Sequence, residues 1–335
     1  MTTKYDALLL LSFGSPEKRD DVIPFLENVL HGRNVPRKRM REVAEHYYEF
    51  DGVSPLNAQN RALIAAIKCE LAEYGPNLPV YFGNRNWHPL LTDTLRQMSA
   101  DGVEHALVFV TSAFGSYSGC RQYLEDMQRA RAAAGPAAPR LDKLRLFYNH
   151  PGFIGAMAQR VIDALNQLPP PHDRAKLIFT AHSIPLAMAQ TSPYQAQLCE
   201  ACQLVGEAVG RADWQLAYQS RSGPPQQPWL EPDICDHLET ITESAGVVIV
   251  PIGFLSDHME VAFDLDRQAK QVCDRRGINM VRADTVGTHP GFVAMIRELI
   301  EQRVSGHGGT PALGTLGPSD DTCPADCCPG PPRPA

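Results

Sequence analysis

"GVVIVPIGFLSDHMEVAFDLD", residues 246–266, changes character twice along its length. It begins as an unbroken apolar run rich in valine and isoleucine, the pattern of a strand buried on both faces. Pro251, Gly253, Ser256 and Asp257 then supply residue types that make turns. From Ser256 onward acidic and apolar residues recur at three- and four-residue steps, which predicts a helix. Buried strand, polar turn and helix together are the repeating unit of a parallel sheet covered by helices.

The unit recurs along the chain. "ALLLLSF" (7–13), "VYFGN" (80–84), "HALVFVTSAF" (105–114) and "LRLFYN" (144–149) form one set of predicted strands. "KLIFTAHS" (176–183), "WQLAYQS" (214–220), "GVVIVPIGF" (246–254) and "INMVRAD" (278–284) form a second. Helical patterns such as "NAQNRALIAAIKCELAEYG" (57–75) and "SPYQAQLCEACQLVGEAVG" (192–210) lie between them. This predicts an α/β chain of two similar doubly wound domains, residues 1–150 and 151–304. Residues 305–335 are dominated by glycine, proline and serine and read as a mobile tail.

The bulk numbers fit a soluble globular protein: 335 residues, 44% apolar, 21% charged, net charge −7. No basic footprint points to nucleic acid. The early run Ala7–Leu11 is too short to span a membrane and lacks the flanks of a signal peptide. A cytoplasmic location is expected. In a reducing compartment nine cysteines signify metal, catalysis or burial, not a disulfide framework.

Ligands of doubly wound sheets bind beyond the carboxyl ends of the strands. The segments at those ends are "SFGSP", "SYSGC", "AHSIP", "QSRSGP" and "GFLSDHME". His182 follows the strand "LIFTA"; Ser183 ahead of Pro185 also suits a helix cap. If a helix begins near Ser256, then Asp257, Glu260 and Asp264 line one face. Asp257 and Glu260 equally have the D-x-x-E form of a capping box. Several acids near one strand end, with a histidine from a neighbouring one, suit a cation or proton removal.

Taken together, "AHSIP", "YQSRSGPPQQPWLEP" and "PIGFLSDHMEVAFDLD", with "LLLLSFGSPE" and "DGVSPL" upstream, resemble the ferrochelatases, over nearly all of residues 5–303. The resemblance implies a class II chelatase fold, two Rossmann-like domains with the porphyrin between them, and insertion of ferrous iron into the macrocycle. It implies that His182 and Glu260 are catalytic and meet the substrate iron, with Asp257, His258 and Asp264 behind them. The first-half segments resemble the bacterial coproporphyrin III enzymes, which yield Fe-coproporphyrin in haem biosynthesis. A protoporphyrin IX enzyme is the near alternative, and a non-catalytic haem or metal carrier the alternative of another class. By the same resemblance Phe13, Arg33, His46, Ser54 and Tyr123 lie about the porphyrin, in an insertion after the first strand and beyond. Phe13 stands where some relatives carry tyrosine and can neither ligate nor transfer a proton. Arg37, Lys38, Arg39 and Arg41 read as a solvated basic helix start. Transient contact with neighbouring haem-pathway enzymes is expected as well.

"DDTCPADCCPG" (320–330) puts three thiols into the tail. Clustered thiols suit soft metals, but zinc and iron–sulfur sites commonly take four protein ligands. Some ferrochelatases hold a 2Fe–2S cluster with one mid-chain and three C-terminal cysteines. The resemblance assigns Cys120, Cys323, Cys327 and Cys328 to such a cluster. Cys199 and Cys202 sit in a helical pattern, and Cys69, Cys235 and Cys273 read as buried structural residues.

Overall fold

The computed structural model describes residues 4–32, 35–171, 174–242, 246–306, 309–324 and 326–330. The first half runs β1 (Ala7–Ser12), α1 (Val22–Leu30), α2 (Arg37–Tyr48), α3 (Leu56–Tyr74), β2 (Val80–Asn84), α4 (Leu91–Ala100), β3 (His105–Val110), α5 (Gln122–Ala134) and β4 (Arg140–Lys143). The second runs α6 (Pro151–Leu165), β5 (Lys176–His182), α7 (Leu186–Gln190), α8 (Tyr194–Ala208), β6 (Trp214–Gln219), α9 (Ile234–Glu239), β7 (Val247–Val250), α10 (Met259–Val261), α11 (Lys270–Arg276), β8 (Met280–Arg282) and α12 (Pro290–Ser305). A π-helical stretch, Ala262–Ala269, joins α10 to α11, and a π turn, Tyr117–Arg121, precedes α5.

Two parallel four-stranded sheets result, ordered β2-β1-β3-β4 and β6-β5-β7-β8. The central strands are apolar on both faces because helices cover both; every residue of β1, β3 and β7 is buried. Each order reverses between the first and third strands of its sheet. Crevices therefore open beyond β1 and β3, and beyond β5 and β7.

Seven of the eight predicted strands lie where the apolar runs placed them. The eighth does not: β4 is the polar segment Arg140–Lys143, and 144–149 leaves the sheet. Edge position explains this. Arg140 pairs with His105 at the outer margin, while Phe147 and Tyr148 plunge into the core, Phe147 stacking on Phe109 at 5.3 Å. Burial alone made that run strongly apolar, and an apolar run does not distinguish buried coil from strand.

One continuous core joins the halves, drawing Leu10, Phe109 and Phe147 from the first and Phe153, Phe179 and Phe292 from the second. A short repeat builds the seam. His150-Pro151-Gly152-Phe153 opens α6 and His289-Pro290-Gly291-Phe292 opens α12, after the last strand of each half. In each, histidine Nδ1 accepts the glycine N–H at 3.1 Å, capping the helix. A Cβ on Gly152 would stand 2.7 Å from Met295 Cβ and 2.8 Å from the Gly291 carbonyl. Gly152→Ala should therefore destabilise the protein by roughly 1–3 kcal/mol through overpacking. A denaturant midpoint unchanged from wild type would show that the two helices can part there at no cost.

The tail is not loose. Residues 309–324 and 326–330 fold back over the body. Arg145 donates to the Pro311 carbonyl at 3.1 Å, Arg303 pairs with Asp321 at 3.4 Å, and Arg121 donates to the Pro324 and Cys327 carbonyls at 3.0 Å. Low-complexity composition hid this, because the partners are arginines on distant parts of the body, one of them, Arg145, buried.

Candidate active site

His182 ends β5 and Glu260 lies in α10, beyond the end of β7, so the two flank the crevice at the order reversal of the second sheet. His182 Nε2 stands 3.5 Å from Glu260 Oε1, with the side chains 32% and 45% exposed. The other ring nitrogen, Nδ1, contacts the Ser183 carbonyl, which can only accept, so Nδ1 carries a proton and Nε2 faces Glu260. Burial by itself would lower the His182 pKa, but the Glu260 carboxylate overrides it and holds the imidazole protonated. Burial would likewise raise Glu260, yet protonated His182 keeps it ionised. The resting pair is thus an ion pair that shares one labile proton.

The segment after β7 does not start its helix where the sequence suggests. His258, not Asp257, is the N-cap, its Nδ1 accepting the Glu260 N–H at 3.1 Å. Burial lowers the His258 pKa and favours the neutral, accepting ring. Asp257, Glu260 and Asp264 do not share one environment. Asp257 takes both Nη atoms of Arg282 at 3.2 and 3.3 Å, and Thr285 Oγ1 at 3.2 Å. Asp264 accepts from Ser220 Oγ and, at 3.4 Å, from Gln219 Nε2, which also donates to the Glu260 carbonyl at 2.9 Å. Burial, reinforced by the Glu260 charge against the Ser220 bond, lifts Asp264 to about 7. A carboxyl with that pKa exchanges a proton near neutrality.

Ser183 does not cap α7; its hydroxyl donates to the Leu230 carbonyl at 2.8 Å, tying the "PWLEP" segment to β5. Ser220, at φ +62°, and Gln219 were not singled out in the sequence as site residues. Their place at the carboxyl end of β6 was the available signal; the left-handed backbone that aims Ser220 at Asp264 had none.

The first half leans over this crevice. The His46 ring stacks on Phe263 at 3.8 Å and 11°, and Glu49 pairs with Arg267, so α2 touches the π-helical stretch. Tyr47 is raised by burial and by the Glu260 charge, which places its phenol in the same neighbourhood. Phe13, 39% exposed, lies edge-on to Phe25 and 5.7 Å from the Arg85 guanidinium. Ser54 is 3% exposed with an unpartnered hydroxyl. Tyr123 is buried, its ring 4.4 Å beneath Arg85, which pairs with Asp126. Arg33 lies outside the described residues. Arg37, Lys38, Arg39 and Arg41 open α2 on an exposed face, with Arg39 bonded to Glu42 at 3.1 Å.

The assigned thiols meet at a second place. Cys120, Cys323, Cys327 and Cys328 line one cavity of about 300 Å³ with Tyr148 and Leu316. Cys327 Sγ lies 3.6 Å from Cys328 Sγ. Among the described residues no group of three His, Cys, Asp or Glu side chains is placed to hold a metal ion. Cys120, opposed by burial and helped by Lys143, lowers the Cys323 thiol. Cys199 is exposed on α8 and Cys202 buried within it. Cys273 is buried as expected, but Cys69 is exposed on α3 and Cys235 only half-buried.

The chain is 56% identical to the "Ferrochelatase" of Rhodopirellula baltica, covering 97% of this chain and 93% of that protein. It is 52% identical to the "Coproporphyrin III ferrochelatase" of Nocardia farcinica, covering 98% of each. Among solved structures, SirB from Bacillus subtilis with Fe3+ superposes with a TM-score of 0.57 over 90% of this chain and 96% of that one. At 13% identity that likeness shows the α/β two-domain chelatase architecture alone. The sequence profile of the Ferrochelatase family matches residues 5–304, and the chain belongs to that family.

Proposed function

We propose that this protein inserts ferrous iron into coproporphyrin III, yielding Fe-coproporphyrin in haem biosynthesis. The carrying observation is the meeting of His182 and Glu260 at 3.5 Å in the crevice beyond β5 and β7. Iron is the substrate, and each turnover must place one dication in the ring and release two pyrrole protons. Glu260, ionised, attracts the dication. A positive charge arriving there weakens the hold of Glu260 on the His182 proton. His182 gives up its proton by way of Asp264 to solvent, and the neutral imidazole then takes the two pyrrole protons in turn and passes each along the same route. Asp264, near its midpoint at neutral pH, takes protons onward beside Ser220 and Gln219. Asp257, locked to Arg282, holds the segment rather than relaying protons. His258 stays neutral and caps α10.

The porphyrin is assigned to the space between Phe13, His46 and this pair, with Arg33 and Ser54 toward its propionates and Tyr123 as the buried support behind Arg85. Coproporphyrin is preferred because curated relatives near 50% identity over almost the whole chain bear that name. We assign residues 1–150 and 151–304 to the two domains and 305–335 to a tail. We further place the protein in the cytoplasm with its pathway neighbours as transient partners; no helix among the described residues is long and apolar enough to cross a membrane.

We propose a 2Fe–2S cluster at the second place, for which the four thiols would have to draw together from where they stand. Four thiols line one cavity, the donor number such a cluster takes. Lys143 is 6% exposed, donates to the Leu144 carbonyl at 3.0 Å, and has no carboxylate partner among the described residues. A buried, unpaired cation beside thiols favours an anionic group there. Cys120, Cys323, Cys327 and Cys328 would hold it. The cluster would supply a cross-link between tail and body, and no step of iron insertion uses it. The proposal is tested by mixing purified protein anaerobically with ferrous iron and coproporphyrin III and following the metalloporphyrin spectrum. No turnover above the protein-free rate would overturn it.

A further inference from the structure

Helix α8 touches three parts of the molecule with three successive buried side chains. Tyr194 Oη donates to the main-chain carbonyl of His182 at 2.9 Å. One turn on, Gln197 Oε1 accepts the Gly115 N–H at 2.7 Å, from the loop that leads to Cys120. One turn further, Glu200 Oε1 accepts from Thr315 N at 2.6 Å, Leu316 N at 2.8 Å and Thr315 Oγ1 at 3.2 Å. Asn149 completes the grip, donating to Glu200 Oε2 at 3.3 Å and to the Gly317 carbonyl at 2.8 Å. The fit is close: Gly314 stands at φ +76°, and a Cβ there would lie 2.5 Å from Glu200 Cδ.

Residues at three-residue steps on a helix are neighbours, and six residues span about 9 Å. The grip on the tail and the grip on His182 are therefore two ends of one short rigid rod. Glu200 is a buried carboxylate with no cationic partner among the described residues; its bonds are to tail amides, a hydroxyl and Asn149. Losing the tail would strip Glu200 of its three tail donors, leave only Asn149 from the body, and uncover the α8 surface that the tail packs against.

We propose that α8 couples docking of the C-terminal tail to the position of His182, with Glu200 as the residue that grips the tail and Tyr194 as the one that grips the histidine. This rests on His182 being catalytic, as proposed above, and it needs no cluster: residues 311–317 are held without the cysteines. Both are positioning residues, acting through the main chain of His182.

The test uses the full-length protein with three variants. Glu200→Ala removes the grip from the α8 side and Gly314→Ala from the tail side, where the added Cβ strikes Glu200. Tyr194→Phe cuts the far end. Hydrogen exchange of the 309–320 peptide reports docking; kcat and KM for porphyrin report the site. Glu200→Ala and Gly314→Ala should both expose the peptide and lower kcat about ten- to a hundredfold with KM unchanged, the scale set by small misplacement of a catalytic group. Tyr194→Phe should lower kcat similarly with the peptide still protected, and the double variant Glu200→Ala/Tyr194→Phe should be no worse than either single. Released tail with wild-type kcat overturns the coupling. So does a tail that stays protected in both Glu200→Ala and Gly314→Ala, or additive losses in the double variant. Wild-type protein that inserts no iron would instead overturn the function itself.

Discussion

His182→Ala should lower kcat for iron insertion by about 10²–10⁴-fold, the range a positioned acid–base group contributes. The protein should stay folded, because the ring is partly exposed and its backbone remains in β5 between β6 and β7. The variant loses the lone pair opposite Glu260 and leaves that carboxylate without its protonated partner. Porphyrin binding should persist, since the propionates are assigned to the first half. Glu260→Gln should be impaired to a similar degree, as it keeps the shape but loses the charge that draws the dication. A structural role predicts another pattern: reduced yield and melting temperature, with kcat per folded molecule unchanged. Wild-type kcat in folded His182→Ala would remove the histidine from the mechanism.

Cys120→Ser carries the second large effect. The wild-type protein should be red-brown with about two irons and two sulfides per chain, and the variant should lose the colour. The cluster would tie residue 120 to residues 323–328, so its loss removes a long-range cross-link. By analogy with other cross-links this costs roughly 2–4 kcal/mol, or a fall in Tm of the order of 3–6 °C. Loosening should be confined to the end of the tail, because Arg145, Tyr148, Asn149 and Glu200 hold residues 311–317 by themselves. Activity should fall only as far as the folded fraction falls, with kcat per folded molecule retained. A full cluster in Cys120→Ser would shift the fourth ligand to Cys199 or Cys202, and zinc without sulfide in the wild type would end the cluster assignment.

Much of this was legible because strand ends are. His182 and Glu260 follow apolar runs whose burial on both faces is written in the residues, and the sheet order then sets them side by side. What the sequence hid depends on distant partners. Asp257 reads as a relay until Arg282, twenty-five positions on, is seen to claim it. The tail reads as mobile until Glu200 and Asn149 meet its amides. Residues 144–149 read as a strand because a buried coil is just as apolar. The tie between the halves was present as a motif, HPGF at 150–153 and 289–292, yet its meaning appears only when Gly152 is found against Gly291.

The central claim is tested most directly by kcat/KM for coproporphyrin III against protoporphyrin IX under identical anaerobic conditions. Coproporphyrin carries two further propionates, and each charge-assisted hydrogen bond they gain is worth roughly 1.5–3 kcal/mol. The account predicts a preference for coproporphyrin III of at least about tenfold, one decade being about 1.4 kcal/mol. Equal or faster metallation of protoporphyrin IX would contradict it.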